Sequence, residues 1–144
     1  MKTVILKFGG TSVGSIEKIK KVAKIIKKRH AEGNQVIAVV SAMSGVTNDL
    51  IKKSKYISKN FDHKELDVLL SSGEQISCAL LSGAILELGL KCRSWMGWQI
   101  PILTNNKYSS SQIINIETKE IINFISKKGI AVLAGFQGIS QENR

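Results

Sequence analysis

The chain has 144 residues, 43% of them hydrophobic, with 21 Lys and Arg against 11 Asp and Glu. That length suits one domain, and that apolar share builds a core and excludes intrinsic disorder. The formal charge of +10 raises nucleic-acid binding, but lysine carries most of it, spread over helical faces such as "EKIKKVAKIIKKRH". No zinc spacing, RNP aromatics or arginine-rich arm accompanies it, so no nucleic-acid partner is expected.

No membrane association is expected either. Unbroken apolar runs such as "IAVLAGF" are far too short to cross a bilayer, and "MKTVILKFGG" lacks the long apolar segment and cleavage site of a signal peptide. Cys78 and Cys92 lie in apolar surroundings without CxxC spacing. They predict two reduced, packed thiols in a cytoplasmic protein.

The run "TVILKF" (3–8) is short, β-rich and ended by glycines, and reads as a buried strand. From Ser15 the period changes. Ile16, Ile19, Val22, Ala23 and Ile26 share a helical face, Ser15 is placed as N-cap and Gly33 as terminator. "QVIAVVSA" (35–42) is a second buried strand, "MSGVTN" a loop, and a helix follows from Asp49 to about Ser58. Residues 62 to 89 carry helical periodicity interrupted at "SSGEQ". Gly73 there predicts two helices meeting at Ser71–Gly73, the second starting near Glu74 and stopped at Gly89.

"KCRSW" (91–95) is a third strand, and "MGWQIPILTNNKYSSS" a loop with one short extended piece. "IETKEIINFISKK" is a helix closed by Gly129, and "IAVLAGF" (130–136) is a fourth strand. This alternation predicts a parallel α/β sheet with helices on both faces. The last segment, "QGISQENR", is a polar loop directly after a core strand, so the domain is expected to be incomplete.

In such sheets ligands bind at the carboxyl ends of strands, and three of those ends are loaded: "KFGGTS", "SAMSGVT" and "AGFQG". Gly9 and Gly10 let the backbone approach a phosphate, and their N–H groups with the helix start near Ser15 can form an anion nest. Lys7 adds a fixed positive charge, and phosphoryl transfer needs charge stabilisation more than covalent help. By spacing alone, a plain glycine-rich β-α turn edged by a lysine would look the same. The stretch is not a P-loop, because its lysine precedes the glycines.

"KFGGTSVGS", "VVSAMSGVTN", "LLSSGEQ", "MGWQ" and "AGFQG" follow one another as they do in aspartate kinases. Over essentially all 144 residues the chain resembles the N-terminal part of one, within the amino-acid kinase superfamily. The resemblance implies a three-layer α/β/α sandwich with a mainly parallel sheet, the amino-acid kinase fold, here incomplete. Residues 1–144 would be the N-terminal portion of the catalytic domain, without an ACT regulatory domain. The implied reaction moves the γ-phosphate of ATP, with Mg2+, onto the side-chain carboxylate of L-aspartate. Its product is 4-phospho-L-aspartate, the first intermediate toward lysine, threonine and methionine.

The resemblance also implies roles. Lys7 would be catalytic, stabilising the transferring phosphate. Phe8, Gly9, Gly10, Thr11 and Ser12 would line the ATP phosphate site with Lys7. Ser41 and Thr47 would sit where aspartate is contacted, and Glu74 would receive its ammonium. No metal ligands are assigned. Duller readings stand beside these: Ser41 and Thr47 as caps of the next helix, and Glu74 as a carboxylate favoured at a helix start. Trp95 and Trp98 read as packing residues, His30 and His63 as inert and exposed, and Gln99 and Gln137 receive no catalytic role.

The family continues past "GFQG" into a glycine-rich segment with Arg, Ser and Asp. The 144 residues alone are therefore expected to be inactive, and to form a homo-oligomer, a poorly stable monomer or a complex with a complementing C-terminal chain. Two other functions remain open. One is a catalytically silent remnant used for binding or oligomerisation; the other is a different amino-acid kinase of the superfamily.

Overall fold

In the computed structural model, which describes residues Met1–Arg144, the chain begins with strand β1 (Thr3–Phe8), helix α1 (Ile16–Ala31) and strand β2 (Gln35–Val40). Helices α2 (Val46–Ile57) and α3 (His63–Glu87) follow, then strands β3 (Cys92–Trp95), β4 (Ile102–Thr104) and β5 (Ile113–Ile116). Helix α4 (Lys119–Ser126) and strands β6 (Ile130–Ala134) and β7 (Ile139–Ser140) complete the order.

The four runs legible as strands form one sheet in the order β1-β2-β6-β3, and every pairing in it is parallel. Parallel neighbours need long crossovers, and the helices supply them. Side chains alternate along β2, so its two faces feed two cores. Val36, Ala38 and Val40 pack with Ile19, Val22 and Ile26 of α1 and with Cys78, Leu81 and Ile85 of α3. On the other face Ile37, Ala131 and Trp95 pack with Ile121 and Ile125 of α4. Helix, sheet and helix thus form the three layers expected.

Helix α1 starts and stops as its sequence says: Ser15 Oγ accepts from the Lys18 N–H at 3.3 Å, and Gly33 takes a φ of +84°. Strand β1, read as buried, is an edge strand instead. Val4, Leu6 and Phe8 are half-buried, whereas Thr3, Ile5 and Lys7 are exposed. An apolar run cannot reveal by composition that one of its edges has no partner.

Three further expectations are corrected. Helix α2 begins at Val46 rather than Asp49, and its N-cap is Gly45 at φ 85° with no side-chain cap. Ser41 and Thr47 are therefore not caps. Residues 63–87 form one continuous helix, entered through the Asp62 carboxylate, which accepts from the N–H groups of Lys64 and Glu65 at 2.8 and 3.1 Å. Gly73 does not break α3, because tertiary contact outweighs its poor propensity. A Cβ there would stand 2.9 Å from Ala42 Cβ and 3.2 Å from Val46 Cγ1. The helix is long and apolar enough to cross a membrane by length and composition. Its buried residues, from Gly73 to Ile85, nevertheless face the sheet and α2, as in a core helix.

The third correction is a second sheet, in the order β5-β4-β7, with β4 antiparallel to β5 and parallel to β7. Only β4 had a counterpart in the sequence reading, as the short extended piece. All four residues of β5 are exposed, so no inside-outside alternation marks it, and β7 is only two residues long. Helix α4 consequently starts at Lys119, later than the pattern from Ile116 suggests.

The seat of Gly73 gives a stability prediction. Gly73→Ala gains about 1 kcal/mol of helix propensity and loses about 1–3 kcal/mol to overpacking. Urea unfolding should show a less stable variant despite the better helix former. A higher midpoint would contradict the close seat of α3.

Candidate active site

Small residues let the carboxyl ends of β1, β2 and β6 converge. A Cβ on Gly10 would stand 2.8 Å from the Ala42 carbonyl oxygen, and one on Gly135 would stand 2.9 Å from the Val40 oxygen. Backbone bonds tie the same ends together: Ser41 N–H donates to Phe8 C=O at 3.1 Å, and Gly135 N–H to Val40 C=O at 2.8 Å.

Within the glycine loop, Ser12 N–H donates to Gly9 C=O at 2.9 Å, and Lys18 Nζ donates to Thr11 C=O at 2.9 Å. Nothing stands within 4 Å of where a Gly9 Cβ would be, so this backbone is open to a ligand. Thr11 and Ser12 are exposed. Phe8 packs against the main core and, with Thr11 and Ser12, lines a groove bounded by Lys18 and Lys21. Lys7 is exposed, and the four ion pairs of the molecule use Arg29, Lys53, Lys64 and Arg144 as cations. Lys7 is in none of them.

Glu74 lies in the middle of α3 rather than at a helix start, and is only 5% exposed. Its Oε1 accepts from Ala42 N–H at 3.2 Å, while its buried Oε2 has no partner. Burial pushes its carboxyl above the ordinary 4.5, opposed by the Ala42 hydrogen bond. One turn on, Ser77 Oγ donates to Ser41 C=O at 2.6 Å. Gly73, Glu74 and Ser77 thus share the helix face that grips residues 41–46. Both main-chain groups of Ser41 are engaged, its N–H with Phe8 C=O and its C=O with Ser77 Oγ. Thr47 is half-buried in the first turn of α2. The structure joins Gly10, Ser41, Ala42 and Glu74 into one packed junction; Lys7 and Thr47 sit at its margins, without a hydrogen bond to Glu74.

A buried carboxylate oxygen without a donor is costly, and a cationic group reaching it removes much of that cost. Oε2 of Glu74 is thus a buried acceptor that the folded chain itself leaves unsatisfied.

Two contributors receive no role from the sequence: Ser77, and Gln137 within the motif "AGFQG". Ser77 looked like any small helix residue. Gln137 binds Gly97 N–H through Oε1 at 3.2 Å and donates from Nε2 to Ser71 C=O at 2.8 Å. Among the other expectations, Trp95 is buried, edge-on to Phe124 at 5.7 Å, whereas Trp98 is 51% exposed and not a core residue. His63 Nδ1 lies 3.1 Å from Ser109 Oγ, and His30 is half-buried rather than exposed. Both cysteines are free, and burial pushes both thiols up to about 11, which keeps them protonated and unreactive at neutral pH.

The model of the amino acid kinase family matches residues 2–144. The chain belongs to that family. It is 46% identical over 147 aligned positions to an aspartokinase of Rickettsia prowazekii, covering 100% of this chain and 33% of the relative. It is 43% identical to an aspartokinase of Geobacillus stearothermophilus, covering 98% and 35%. The chain thus spans about a third of the length of the curated relatives it matches. Among solved structures, aspartate kinase from Synechocystis superposes with a TM-score of 0.80 at 37% identity, over 94% of this chain and 22% of that one. E. coli aspartokinase III in complex with aspartate and ADP superposes at 0.81 with 18% identity, over 100% and 42%, a likeness of fold.

The raised carboxyl of Glu74 has a pH signature. Above 4.5 and up to its folded value, the folded chain holds this proton more often than the unfolded chain does. Stability therefore falls as pH rises through that window. Glu74→Gln keeps an acceptor for Ala42 and removes the titration. Urea unfolding at successive pH values should show the variant gaining on the native chain from pH 4.5 upward. A difference that stays flat, or shrinks, would contradict the burial of an ionisable Glu74.

Proposed function

We propose that residues 1–144 are the N-terminal portion of an aspartate kinase catalytic domain, transferring the γ-phosphate of ATP to the side-chain carboxylate of L-aspartate. The observation that carries this reading is Glu74 Oε2, buried and unpartnered where Oε1 holds the Ala42 N–H, the edge against which Gly10 packs. An amino acid presents what that edge lacks: an ammonium for Glu74, leaving its side-chain carboxylate to meet a phosphate. Family membership and the names of the relatives support the same choice.

In this reading an aspartate carboxylate oxygen attacks the γ-phosphorus as the bond to the ADP oxygen breaks. Lys7 meets the charge on the moving phosphoryl group, and the backbone N–H groups of Gly9 and Gly10 cradle it, with Thr11 and Ser12 beside them. The Ser41 and Thr47 hydroxyls hold the acceptor, and Glu74 fixes its ammonium. Phe8 anchors the loop from beneath.

Magnesium would neutralise phosphate charge. No group of three or more His, Cys, Asp or Glu side chains gathers where a metal could sit. Of this chain's residues, the exposed Thr11 and Ser12 hydroxyls of the glycine loop would help hold the ion. The product, 4-phospho-L-aspartate, places the enzyme at the first step toward lysine, threonine and methionine, in the cytoplasm. Ile5, 66% exposed on an edge strand, with Ile113 and Ile114 exposed on β5, favours association with a second copy or a complementing chain.

The test is a chimaera in which these 144 residues replace the matched segment of the Rickettsia prowazekii aspartokinase. We expect ATP- and aspartate-dependent turnover from the chimaera and none from the 144 residues alone. A folded but inactive chimaera would count against the assignment. In the active chimaera, Lys7→Ala should lower kcat by about a hundredfold or more, with a much smaller change in the KM for aspartate. Turnover near the parent value would remove Lys7 from the mechanism.

A further inference from the structure

We propose that Gln137 is a positioning residue for the Glu74 carboxylate: its amide ties the loops after β3 and β6 to α3, one turn before Glu74, and so sets how closely α3 seats against Ala42. This rests on the reading of Glu74 as the ammonium acceptor.

Helix α3 is held unevenly along its length. From Gly73 onward it is gripped by the sheet and the loop after β2, through Gly73 against Ala42, Ser77 to Ser41 C=O, and Cys78 Sγ to Val132 C=O at 3.2 Å. None of its residues before Gly73 is buried. Leu66, Leu69 and Leu70 in that leading stretch are only half-buried, and its polar contacts are mostly exposed: Asp67 accepts from Ser109 N–H at 2.8 Å, Lys64 meets Glu142 at 3.4 Å, and Arg144 meets Glu65 at 3.0 Å. Such exposed ion pairs contribute little each.

Gln137 acts where the loose stretch meets the gripped one. Its half-buried amide accepts from Gly97 N–H at 3.2 Å and donates to Ser71 C=O at 2.8 Å. The site demands both halves of an amide, an acceptor for an N–H and a donor for a carbonyl. The backbones are fitted to it: a Cβ on Gly97 would stand 3.0 Å from Gln137 Cβ. Ser71 and Glu74 are three residues apart and share a face of α3. A shift of the helix at Ser71 is therefore felt at the bond between Glu74 and Ala42.

Two variants test this in the 144-residue chain. Gln137→Glu keeps the acceptor for Gly97 and turns a carboxylate oxygen toward the Ser71 carbonyl, while Gly97→Ala pushes against Gln137 without changing its chemistry. Amide hydrogen exchange is the first readout. Each variant should speed exchange at Ala42 by about tenfold and leave Ile37 and Ala38 in β2 protected as before. Titration with L-aspartate is the second, with affinity expected to fall by a similar factor. Unchanged protection at Ala42, or uniform loss of protection through β2 in both variants, would overturn the proposal. A native chain that fails to bind aspartate, with Ala42 still loosened selectively in the variants, would support the positioning role and defeat the ligand assignment instead.

Discussion

Ala42 leaves strand β2 with its N–H donated to a carboxylate that water barely reaches. That bond, 3.2 Å to Glu74, sits at the point where the sheet, the loop after β2 and the longest helix meet. The bond forms only if α3 lies almost in contact with the loop, which is why Gly73 faces Ala42 and why Ser77 reaches the Ser41 carbonyl. The same crowding extends outward through Gly10 to the glycine loop and through Gly135 to the end of β6. The candidate site is thus a consequence of how tightly three strand ends are drawn together.

This arrangement costs stability. Glu74 is buried with one oxygen unmatched, and its raised carboxyl pKa reflects the penalty for holding charge there. Buried carboxyls with raised pKa values cluster at functional sites. Lys7, exposed near the end of β1, takes part in none of the four ion pairs.

The main sheet was legible in the sequence because parallel strands buried on both faces read as continuous apolar runs, as "QVIAVV" and "IAVLA" do. Helix α1 was legible because its stripe, cap and terminator all agreed. The continuity of α3 was hidden, since Gly73 signals a break locally and a contact only when Ala42 is seen against it. Strand β5 was hidden because an exposed ladder at a sheet edge leaves no alternating pattern. Within the site, Lys7, the glycines and Glu74 stood out through the company they keep in the motifs. The role of Gln137 depends on Gly97 and Ser71, far apart in the chain, and no local pattern encodes it.

The central claim is that Glu74 waits, buried, for a ligand ammonium. Its carboxyl can be followed directly by carbon-detected NMR as pH is varied, with and without L-aspartate. The account predicts a titration above the ordinary carboxylate range in the free chain and a clear downward shift when L-aspartate binds. Succinate, which has the two carboxylates and no ammonium, should produce no such shift. A Glu74 carboxyl that titrates normally in the free chain, or that responds equally to aspartate and succinate, would contradict it.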